Sequence, residues 1–579
     1  MQWVVIAALV IAGSVGAWFR FREPKELEGS KPYTPRPTGT VTFNQHIAPI
    51  VHAQCADCHR PGQSAPFSLI TFADAKKHAK QIGVVTRKGL MPPWLPDPDV
   101  VKFADERRLT AEQLGLIQQW IVDGTPEGSP ADLPPTPKWT DGWRLGSPDL
   151  VTTMPETYTL AADGKDIYRN FVIPVPLTQK RHVKAVEFRF DTRAVHHAIT
   201  RIDRTKQSRL RDAQDSVPGF GGMDAPASTE AAGGHFLSWQ PGRGPTRFPE
   251  GLAWTLQPGS DLVMQVHMQP TGKPEPVRAS VALYFTEMAP TNRPMKIGLG
   301  SYAIDIPAGA GDYTLQDSYE LPVDAQIVAV LPHTHYLGKR LESFATLPGG
   351  TTKQLLLIKD WDFNWQSDYR YAEPMLLPKG TRITMRYTYD NSTNNLRNPN
   401  HPPVRVKYGL QSTDEMGELW LQLLASNEKE LARLEADYGK RIITDILAFN
   451  QLQLSRDPGD AHAHTQLAKA LMTVGNTTEA ASHFLTAVRL NPNADEAHYH
   501  LGLLAMDRNA TEAEAAFNRV LQINPEHYKA RNNLGLLCLN QGRLAEAEMH
   551  FNDVLRINPG DSLAQNNLRI VARAKAAGR

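Results

Sequence analysis

The sequence predicts a multidomain protein that combines a small all-α domain, two β-sandwiches and an α-solenoid. Apolar residues at helical spacing surround a cysteine-histidine motif between residues 40 and 130. Short runs of alternating apolar and polar residues, separated by Gly, Pro, Asn and Asp, fill the region 139–425, which indicates antiparallel strands. From residue 457 onward, similar residues return at intervals of about 33 or 34, which indicates stacked helical repeats.

Composition limits the classes of function. A chain of 579 residues is long enough for roughly three to five domains, and its 41% apolar content can supply several cores. The net charge of +1 offers no basic surface for a polyanion, so nucleic acid is not an expected partner. The chain has 3 cysteines, and two of them belong to one motif, so no internal disulfide framework is expected.

The first segment, 1–22, is predicted to be a signal peptide or a membrane anchor. Trp3 to Phe19 is uncharged and mostly apolar, a little short of the roughly 20 residues that span a bilayer. Small residues at Val15 to Ala17 fit a cleavage site, whereas basic residues follow the run rather than precede it, which is unusual for export. The proline-containing segment 23–39 is predicted to be a linker.

Cys55-Ala56-Asp57-Cys58-His59 is a C-x-x-C-H sequence, the attachment signature of a c-type haem. Two thiols three positions apart can each form a thioether, and His59 then becomes the proximal ligand of the iron. The motif predicts one covalent haem c. Because such a haem is attached outside the cytoplasm, the motif predicts a periplasmic or extracytoplasmic protein that is secreted or anchored by its first helix. The charge order of the N-terminus points the other way, and we give the haem motif more weight.

Two amphipathic helices are expected on either side of this motif. Phe43, Ile47 and Ile50 recur at helical spacing before it, and Thr110-x-x-Gln113 is a capping box that begins a later helix. Gly and Pro at positions 124 and 126 should end that helix. This arrangement resembles a class I cytochrome c over residues 40–130.

A cytochrome of this class needs a distal haem ligand. Met91 precedes two prolines between the motif and the last helix, and its thioether is our predicted sixth ligand. The alternative is that Met91 only packs on the haem edge, while His78 or no residue binds the iron.

The β-rich region is long enough for two sandwiches in succession, 139–290 and 291–425. In Val186 to Asp191 every second residue is apolar, as in a half-buried strand, and Arg382 to Tyr387 repeats this pattern less clearly.

Histidines in this region fall into small groups. His333 and His335 are two positions apart, so on a strand they point from one face and can bind one metal ion. The adjacent pair His196 and His197 points to opposite faces unless the strand ends or bulges there. From spacing alone, ligand and structural roles are equally supported.

The order of these groups adds information. The set resembles the copper type II, ascorbate-dependent monooxygenases, the family of peptidylglycine hydroxylase and dopamine hydroxylase. The segments that carry the resemblance are His196-His197, Gln265-Val266-His267, His333-Thr334-His335-Tyr336-Leu337-Gly338, Tyr389-Asp390-Asn391-Ser392 and Ser412-Thr413-Asp414-Glu415-Met416.

The resemblance implies two jelly rolls that hold one copper each. His196, His197 and His267 would bind the copper that stores an electron. The catalytic, oxygen-binding copper would be held by His333, His335 and Met416.

The implied function is that of an exported monooxygenase that hydroxylates a small molecule with dioxygen. The fused haem would pass electrons from an external donor to the coppers. The alternative function is that of a non-catalytic periplasmic electron-transfer or copper-binding protein.

The sequence departs from the pattern of peptidylglycine hydroxylase at the positions that fix a peptide carboxylate there. Leu331, Glu418 and Trp420 occupy these positions. An apolar, an acidic and an indole side chain cannot form a carboxylate clamp, so a neutral, apolar or cationic substrate is expected.

After a bridging helix over 426–456, the segment 457–579 resembles tetratricopeptide repeats. Three helix-turn-helix units are expected, with a possible protein partner on their concave face; capping of the enzyme or pairing of two copies is equally supported. The recurring positions are Leu467/Leu501/Leu534, Ala480/Ala513/Ala547, Phe484/Phe517/Phe551 and Pro492/Pro525/Pro559.

Overall fold

The computed structural model describes residues 33–61, 65–137, 142–192, 194–222, 228–558 and 560–578. The chain forms two compact units, one up to Leu434 and one from Glu435 onward. The predicted signal peptide or anchor lies outside the described residues. Among the residues that are described, none of the helices has the length and apolar character needed to cross a membrane.

The first part of the chain is helical. Helix α1 (43–55) has an α-helical turn at Ala48–Ile50 between two π-helical turns, Phe43–Ile47 and Val51–Cys55. Trp120 is fully buried in the core of this domain, with its ring centroid 6.1 Å from that of Phe43. The remaining helices are α2 (Phe72–Lys77), α3 (Ala79–Arg87) and α4 (Ala111–Val122).

Helix α4 begins with the predicted capping box. The Thr110 hydroxyl accepts the Gln113 amide N–H (3.1 Å), and the Gln113 side-chain oxygen accepts the Thr110 N–H (2.9 Å). The helix ends just before Gly124, whose φ of +83° favours glycine. Both predicted boundaries of this helix are therefore confirmed.

The end of the segment assigned to the linker packs on helix α4. Tyr33 O–H donates to the Gln119 side-chain oxygen (2.5 Å), and the Tyr33 ring fills the space beside Gly115, where a Cβ would clash. Tyr33 therefore packs on the helical domain.

Two antiparallel sheets form the first sandwich, and their apolar faces share one core. One sheet has the strand order β1-β13-β4-β10, with β9 paired to β4; the other has the order β6-β3-β11-β5-β7, with β8 paired to β5. Strands β2 and β12 form a separate pair, and a short helix, α5, follows β5. The elements are β1 (Leu150–Thr153), β2 (Tyr158–Leu160), β3 (Ile167–Pro174), β4 (Arg181–Phe190), β5 (Val195–Asp203), α5 (Gln207–Gln214), β6 (Phe220–Gly221), β7 (Thr229–Glu230), β8 (Ser238–Trp239), β9 (Thr246–Arg247), β10 (Trp254–Leu256), β11 (Asp261–Met268), β12 (Glu275–Val277) and β13 (Ala279–Thr286).

The second sandwich is built in the same way from two four-stranded antiparallel sheets. Their orders are β14-β23-β17-β20 and β16-β21-β18-β19, and β15 pairs with β22. The prediction of a region rich in β-sandwiches is confirmed. The strands are β14 (Met295–Gly300), β15 (Asp305–Ile306), β16 (Tyr313–Glu320), β17 (Ala325–Thr334), β18 (Gly338–Thr346), β19 (Thr352–Ile358), β20 (Tyr369–Leu377), β21 (Arg382–Tyr389), β22 (Val406–Lys407) and β23 (Gly417–Ala425).

Strand β4 contains the alternating run that predicted it, but its burial does not alternate cleanly. Glu187 is buried between Val186 and Phe188. Its carboxylate accepts the backbone N–H of Arg144 (2.8 Å), which satisfies the buried oxygen. A contact from a distant segment therefore decides the burial of this residue.

Helix α6 (Glu428–Arg456) runs across the boundary between the two units, and the residues described after it form seven further helices. The repeated phenylalanines Phe484, Phe517 and Phe551 are completely buried. Gly502 and Gly535 leave room for the last two of these rings, because a Cβ at either glycine would lie 2.6 Å from the ring. These helices are α7 (Ala461–Thr473), α8 (Thr477–Leu490), α9 (Asp495–Ala505), α10 (Ala510–Ile523), α11 (Tyr528–Asn540), α12 (Leu544–Ile557) and α13 (Ser562–Ala576).

Candidate functional site

The first group of candidate ligands lies on two paired strands of the first sandwich. His267 on β11 is directly opposite His197 on β5, and Met268 is opposite Val195. His196 is therefore an extra residue in β5, which forms a β-bulge. The bulge allows the two adjacent histidines to face one cluster, with ring centroids 5.1 Å (His196) and 4.9 Å (His197) from that of His267.

The geometry of these three histidines fits a metal ion. One nitrogen from each ring lies within 4.8 Å of the others. Both ring nitrogens of His196 are buried, and neither has a hydrogen-bond partner among the described residues. Burial lowers the pKa of His196 to about 3 and that of His197 well below its usual value, so both rings are neutral and able to bind a metal.

Asp166 orients His267. The Nε2–H of His267 donates to the Asp166 carboxylate (2.9 Å), so Nδ1 is the nitrogen that remains for a metal. Burial by itself would raise the pKa of Asp166, but hydrogen bonds from His267 and Ser412 lower it to about 2. Sequence reasoning missed Asp166, because nothing in its local pattern links it to a histidine about a hundred residues away.

The second group lies at the end of β17 in the second sandwich. His333 Nδ1 is 2.5 Å from the Gln366 side-chain oxygen, and His335 Nδ1 is 3.2 Å from the backbone oxygen of Asp414. An acceptor oxygen requires Nδ1 to carry the hydrogen, which leaves Nε2 of each ring as the available ligand atom. Burial lowers the pKa of both histidines, that of His335 to about 3, so these rings are also neutral.

Met416 is buried directly before β23, whose first residue, Gly417, pairs with Thr334. The Glu415 carboxylate holds this segment against the end of β17. It accepts the Thr334 O–H (2.7 Å) and the backbone N–H groups of Met416 (2.9 Å) and Leu337 (3.0 Å). Burial raises the pKa of Glu415 to about 7, although these donors favour the ionised form. Sequence analysis assigned no role to Glu415, although it directly precedes the predicted ligand Met416.

The structure brings the two groups together. The ring centroids of His197 and His333 are 6.3 Å apart. Phe363 joins the groups further, because it stacks on His196 (4.5 Å) and its centroid is 5.6 Å from that of His335. The sequence predicted one ligand group in each sandwich, and the fold places both groups in one cluster of five imidazoles.

The residues beside this cluster include a carboxylate and an indole. Glu418 is opposite His333 in the register of β17 and β23, and Trp420 is opposite Leu331. The Trp420 N–H donates to the Glu418 carboxylate (3.0 Å). A carboxyl group therefore lies next to His333.

His235 has a structural role. Its Nε2 lies 2.7 Å from the backbone oxygen of Leu252, and its Nδ1 lies 3.0 Å from the Gln422 side-chain nitrogen. With both ring nitrogens in hydrogen bonds, His235 has none left for a metal.

The C-x-x-C-H motif follows helix α1. Cys55 and Cys58 are free thiols, and burial raises the pKa of Cys55 to about 12. His59 Nδ1 is 3.1 Å from the backbone oxygen of Phe67, so Nε2 is the nitrogen available to a haem iron. Two free thiols and an imidazole of fixed tautomer fit a covalent haem.

Both alternatives for the distal ligand remain open. Met91 lies at the turn after α3, where its N–H donates to the backbone oxygen of Val85 (3.3 Å). His78 stacks on Phe67 with ring centroids 3.9 Å apart, and the Phe67 centroid is 4.9 Å from that of His59.

The motif lies against a loop of the first sandwich. A Cβ at Gly242 would be 3.2 Å from the Cys58 sulfur, and the Gly242 carbonyl accepts a hydrogen bond from Arg107 (2.8 Å). Arg144 donates to the backbone oxygen of Asp57 (3.0 Å). Glycine at position 242 permits this close approach.

The same loop leads directly to the first histidine group. Trp239 in β8, three residues before Gly242, pairs with Ala198 of β5. Ala198 is the residue after His197. A short backbone path therefore connects the Cys58 side of the motif with the candidate metal ligands.

Comparison with known proteins identifies the C-terminal repeats. A sequence model for the tetratricopeptide repeat matches residues 465–525 and 507–562, which confirms this prediction. No curated protein matches the chain. Two solved structures, titled "Crystal structure of MamA" and "Crystal structure of MamA protein", are 24% and 22% identical to this chain. Each match covers 24% of this chain and, respectively, 84% and 78% of the matched chain. The TM-score is 0.23 for both.

Proposed function

We propose that the protein is an exported copper-dependent monooxygenase that hydroxylates a small molecule, with a fused c-type haem that feeds electrons to the copper sites. The observation that carries this proposal is the convergence of five imidazoles from two sandwiches into one cluster. Neutral imidazoles with available nitrogen atoms suit copper in both of its common oxidation states. We also propose that both sandwiches have jelly-roll topology.

The ligand sets follow the two groups. His196, His197 and His267 would bind one copper, and the Asp166 carboxylate keeps His267 Nδ1 directed at that site. His333, His335 and Met416 would bind the other. A thioether favours Cu(I), the state that reacts with dioxygen, so the second site is assigned to oxygen. Copper at these sites, when bound, supplies one-electron chemistry and dioxygen activation.

Hydroxylation of a C–H bond consumes one dioxygen, two electrons and two protons, and yields the alcohol and water. A haem attached to Cys55 and Cys58 is the proposed source of single electrons. Two contacts support the delivery of electrons from the haem to the first histidine group. Cys58 lies against Gly242, and Trp239, three residues earlier, pairs with Ala198 beside His197.

The surroundings of the oxygen-side histidines support a substrate without a carboxylate. Glu418 lies opposite His333 and holds the Trp420 indole. A carboxylate at this position repels an anionic group and attracts a cationic one. The proposed substrate is therefore a neutral, apolar or cationic small molecule.

The tetratricopeptide repeats suggest a protein partner. Repeats of this kind commonly mediate protein–protein interactions through a concave face. We propose such a partner for the segment 457–579, and an extracytoplasmic location for the whole protein on the basis of the haem motif.

The thioether ligand offers a direct test. Met416→Leu removes the sulfur but keeps the volume; Met385→Leu, at a methionine that is also buried in the same sandwich, is the matched control. Reduced, copper-loaded protein is mixed with dioxygen, haem re-oxidation is followed by its absorbance, and copper content is measured. We expect slow re-oxidation only in the Met416 variant.

Equal re-oxidation rates in both variants and the wild type, with no oxygen incorporated into any neutral or cationic substrate, would reject the monooxygenase. Such a result would favour the non-catalytic electron-transfer or copper-binding protein. A failure of His196→Ala to change the haem re-oxidation rate would reject electron delivery through the first group.

A further inference from the structure

A cavity of about 640 Å³ lies beside the haem-attachment motif and is separate from the histidine cluster. Its walls come from the helical domain and both sandwiches, and none of the candidate copper or haem ligands lines it. Its volume is within the range of small-molecule binding sites. The cavity therefore needs an explanation beyond the proposed chemistry.

Positive charge dominates the polar wall of this cavity. The described residues that line it carry six guanidinium groups but only three carboxylates, those of Asp57, Asp105 and Asp368. The six arginines are Arg60, Arg107, Arg144, Arg243, Arg247 and Arg370.

Ion pairs account for part of this charge. Asp368 binds Arg243, Asp105 binds Arg370 (3.0 Å), and Asp57 binds Arg144 (3.3 Å). The nearby Glu187 carboxylate is occupied by the Arg144 backbone and by Arg189. The three carboxylates in the wall cannot neutralise all six guanidinium groups, so part of the positive charge remains uncompensated.

Arg107 and Arg247 have no carboxylate partner in the part of the chain that the structure describes. Arg107 is half-buried, and its hydrogen bond goes to the neutral carbonyl of Gly242. Burial, and to a lesser extent the neighbouring charge of Arg107, lower the pKa of Arg243 to about 10. Two guanidinium groups without counterions, one of them half-buried, are typical of an anion-binding site.

A second part of the cavity wall is aromatic. Trp94, Trp365 and Tyr369 line it, and the rings of Trp94 and Tyr369 meet edge to face with centroids 5.2 Å apart. Aromatic walls contribute contact area and stacking for flat ligands. A ligand that satisfies both walls must combine a ring with acidic groups.

We propose that this cavity binds an aromatic or heteroaromatic acid with at least two negative charges, which pair with Arg107 and Arg247 while the ring of the ligand packs on the aromatic residues of the wall. None of the proposed copper ligands lines the cavity, so the proposal stands independently of the proposed monooxygenase.

Calorimetric titration of the full-length protein at low ionic strength tests this site. The probes are phthalate, its neutral dimethyl ester, and succinate as an aliphatic dicarboxylate. Phthalate is expected to bind, and more tightly than both other probes, with an affinity that falls as salt is added. Arg107→Gln and Arg247→Gln should each weaken phthalate binding about tenfold or more, because each removes charge-assisted hydrogen bonds.

Arg382→Gln is the control, since Arg382 is an exposed arginine on β21, paired with Glu320. It should bind phthalate like the wild type. Thermal unfolding shows whether Arg107→Gln is folded, and Arg247→Gln provides a second variant at an exposed position. The proposal is overturned by absence of saturable phthalate binding, by equal binding of the dimethyl ester, or by wild-type affinity in both folded arginine variants. Equal binding of succinate overturns the aromatic part of the assignment.

Discussion

Replacement of Asp166 by asparagine should weaken copper binding at the first histidine group. The Asp166 carboxylate accepts the Nε2–H of His267 at 2.9 Å, and the His267 side chain is fully inaccessible while Asp166 is 15% exposed. Asparagine keeps the size and one acceptor oxygen but removes the negative charge. The variant therefore isolates the electrostatic part of this contact.

The magnitude follows from this geometry. A hydrogen bond to a charged group contributes about 1.5–3 kcal/mol, and loss of a carboxylate behind a metal-binding histidine typically lowers metal affinity by about 10- to 100-fold. This range corresponds to about 1.4–2.7 kcal/mol. We expect a decrease of that size for Asp166→Asn, with the copper stoichiometry unchanged.

Competition between the protein and a Cu(I) chelator under anaerobic conditions measures the affinity. Asp191→Asn, an exposed residue at the end of β4 in the same sandwich, controls for the loss of one negative charge. Thermal unfolding of the metal-free variants checks their fold. Wild-type affinity in the Asp166 variant, or an equal loss in the Asp191 control, would refute the role of Asp166 in orienting His267.

Three further predictions concern packing, pH and the second ligand group. Gly502→Ala should lower the free energy of unfolding of the repeats by about 1–2 kcal/mol in urea titrations, since its Cβ would lie 2.6 Å from the Phe517 ring and overpacking outweighs the helix-propensity gain. Gly439→Ala in α6, where nothing lies within 4 Å of the new Cβ, should instead raise it by about 0.5–1 kcal/mol; the same sign for both would contradict this packing. Burial lowers the pKa of His235 to about 4 from 6.5, so its neutral ring contributes stability above pH 6.5 that is lost as the pH falls toward 4. Chemical unfolding between pH 7 and pH 4 should therefore show a loss of stability that is smaller by up to about 3 kcal/mol in His235→Gln than in the wild type, and an equal loss in both proteins would contradict this assignment. Glu415→Gln should destabilise the second sandwich by about 1–3 kcal/mol, because an amide NH₂ cannot accept the N–H and O–H groups that converge on this carboxylate. Glu373→Gln, at an exposed position on β20, should leave the stability unchanged. Equal unfolding midpoints for the Glu415 and Glu373 variants would argue against this function of Glu415.

Local patterns were sufficient to predict several elements. The capping box at Thr110 and Gln113 is formed as expected, because a helix N-terminus depends on residues within one turn. The phenylalanines at 484, 517 and 551 occupy equivalent buried positions, because each repeat packs mainly on its neighbours. Burial along β4 was predicted less well, since the contact that buries Glu187 comes from Arg144, far away in the sequence.

The site was only partly accessible from sequence. The H-x-H spacing of His333 and His335 indicated a shared face, and the family resemblance grouped them with Met416. Spacing could not decide whether His196 and His197 face one cluster, because this depends on a bulge that appears only when β5 pairs with β11. Asp166 and Gln366 carry no local signal at all, since they act through side-chain contacts across the fold.

The sequence by itself determined the kinds of structure present and the chemical groups available. Helical, strand and repeat periods arise from interactions among near neighbours in the chain. The thiols and the imidazole of C-x-x-C-H are also close in sequence, so this motif predicts haem attachment without knowledge of the fold. Only the tertiary structure decided that the histidines of both sandwiches meet, that Cys58 lies against Gly242, and that arginines surround a cavity beside an aromatic wall. Such arrangements depend on how separate sheets and helices pack, and residues brought together in this way share no local pattern in the sequence.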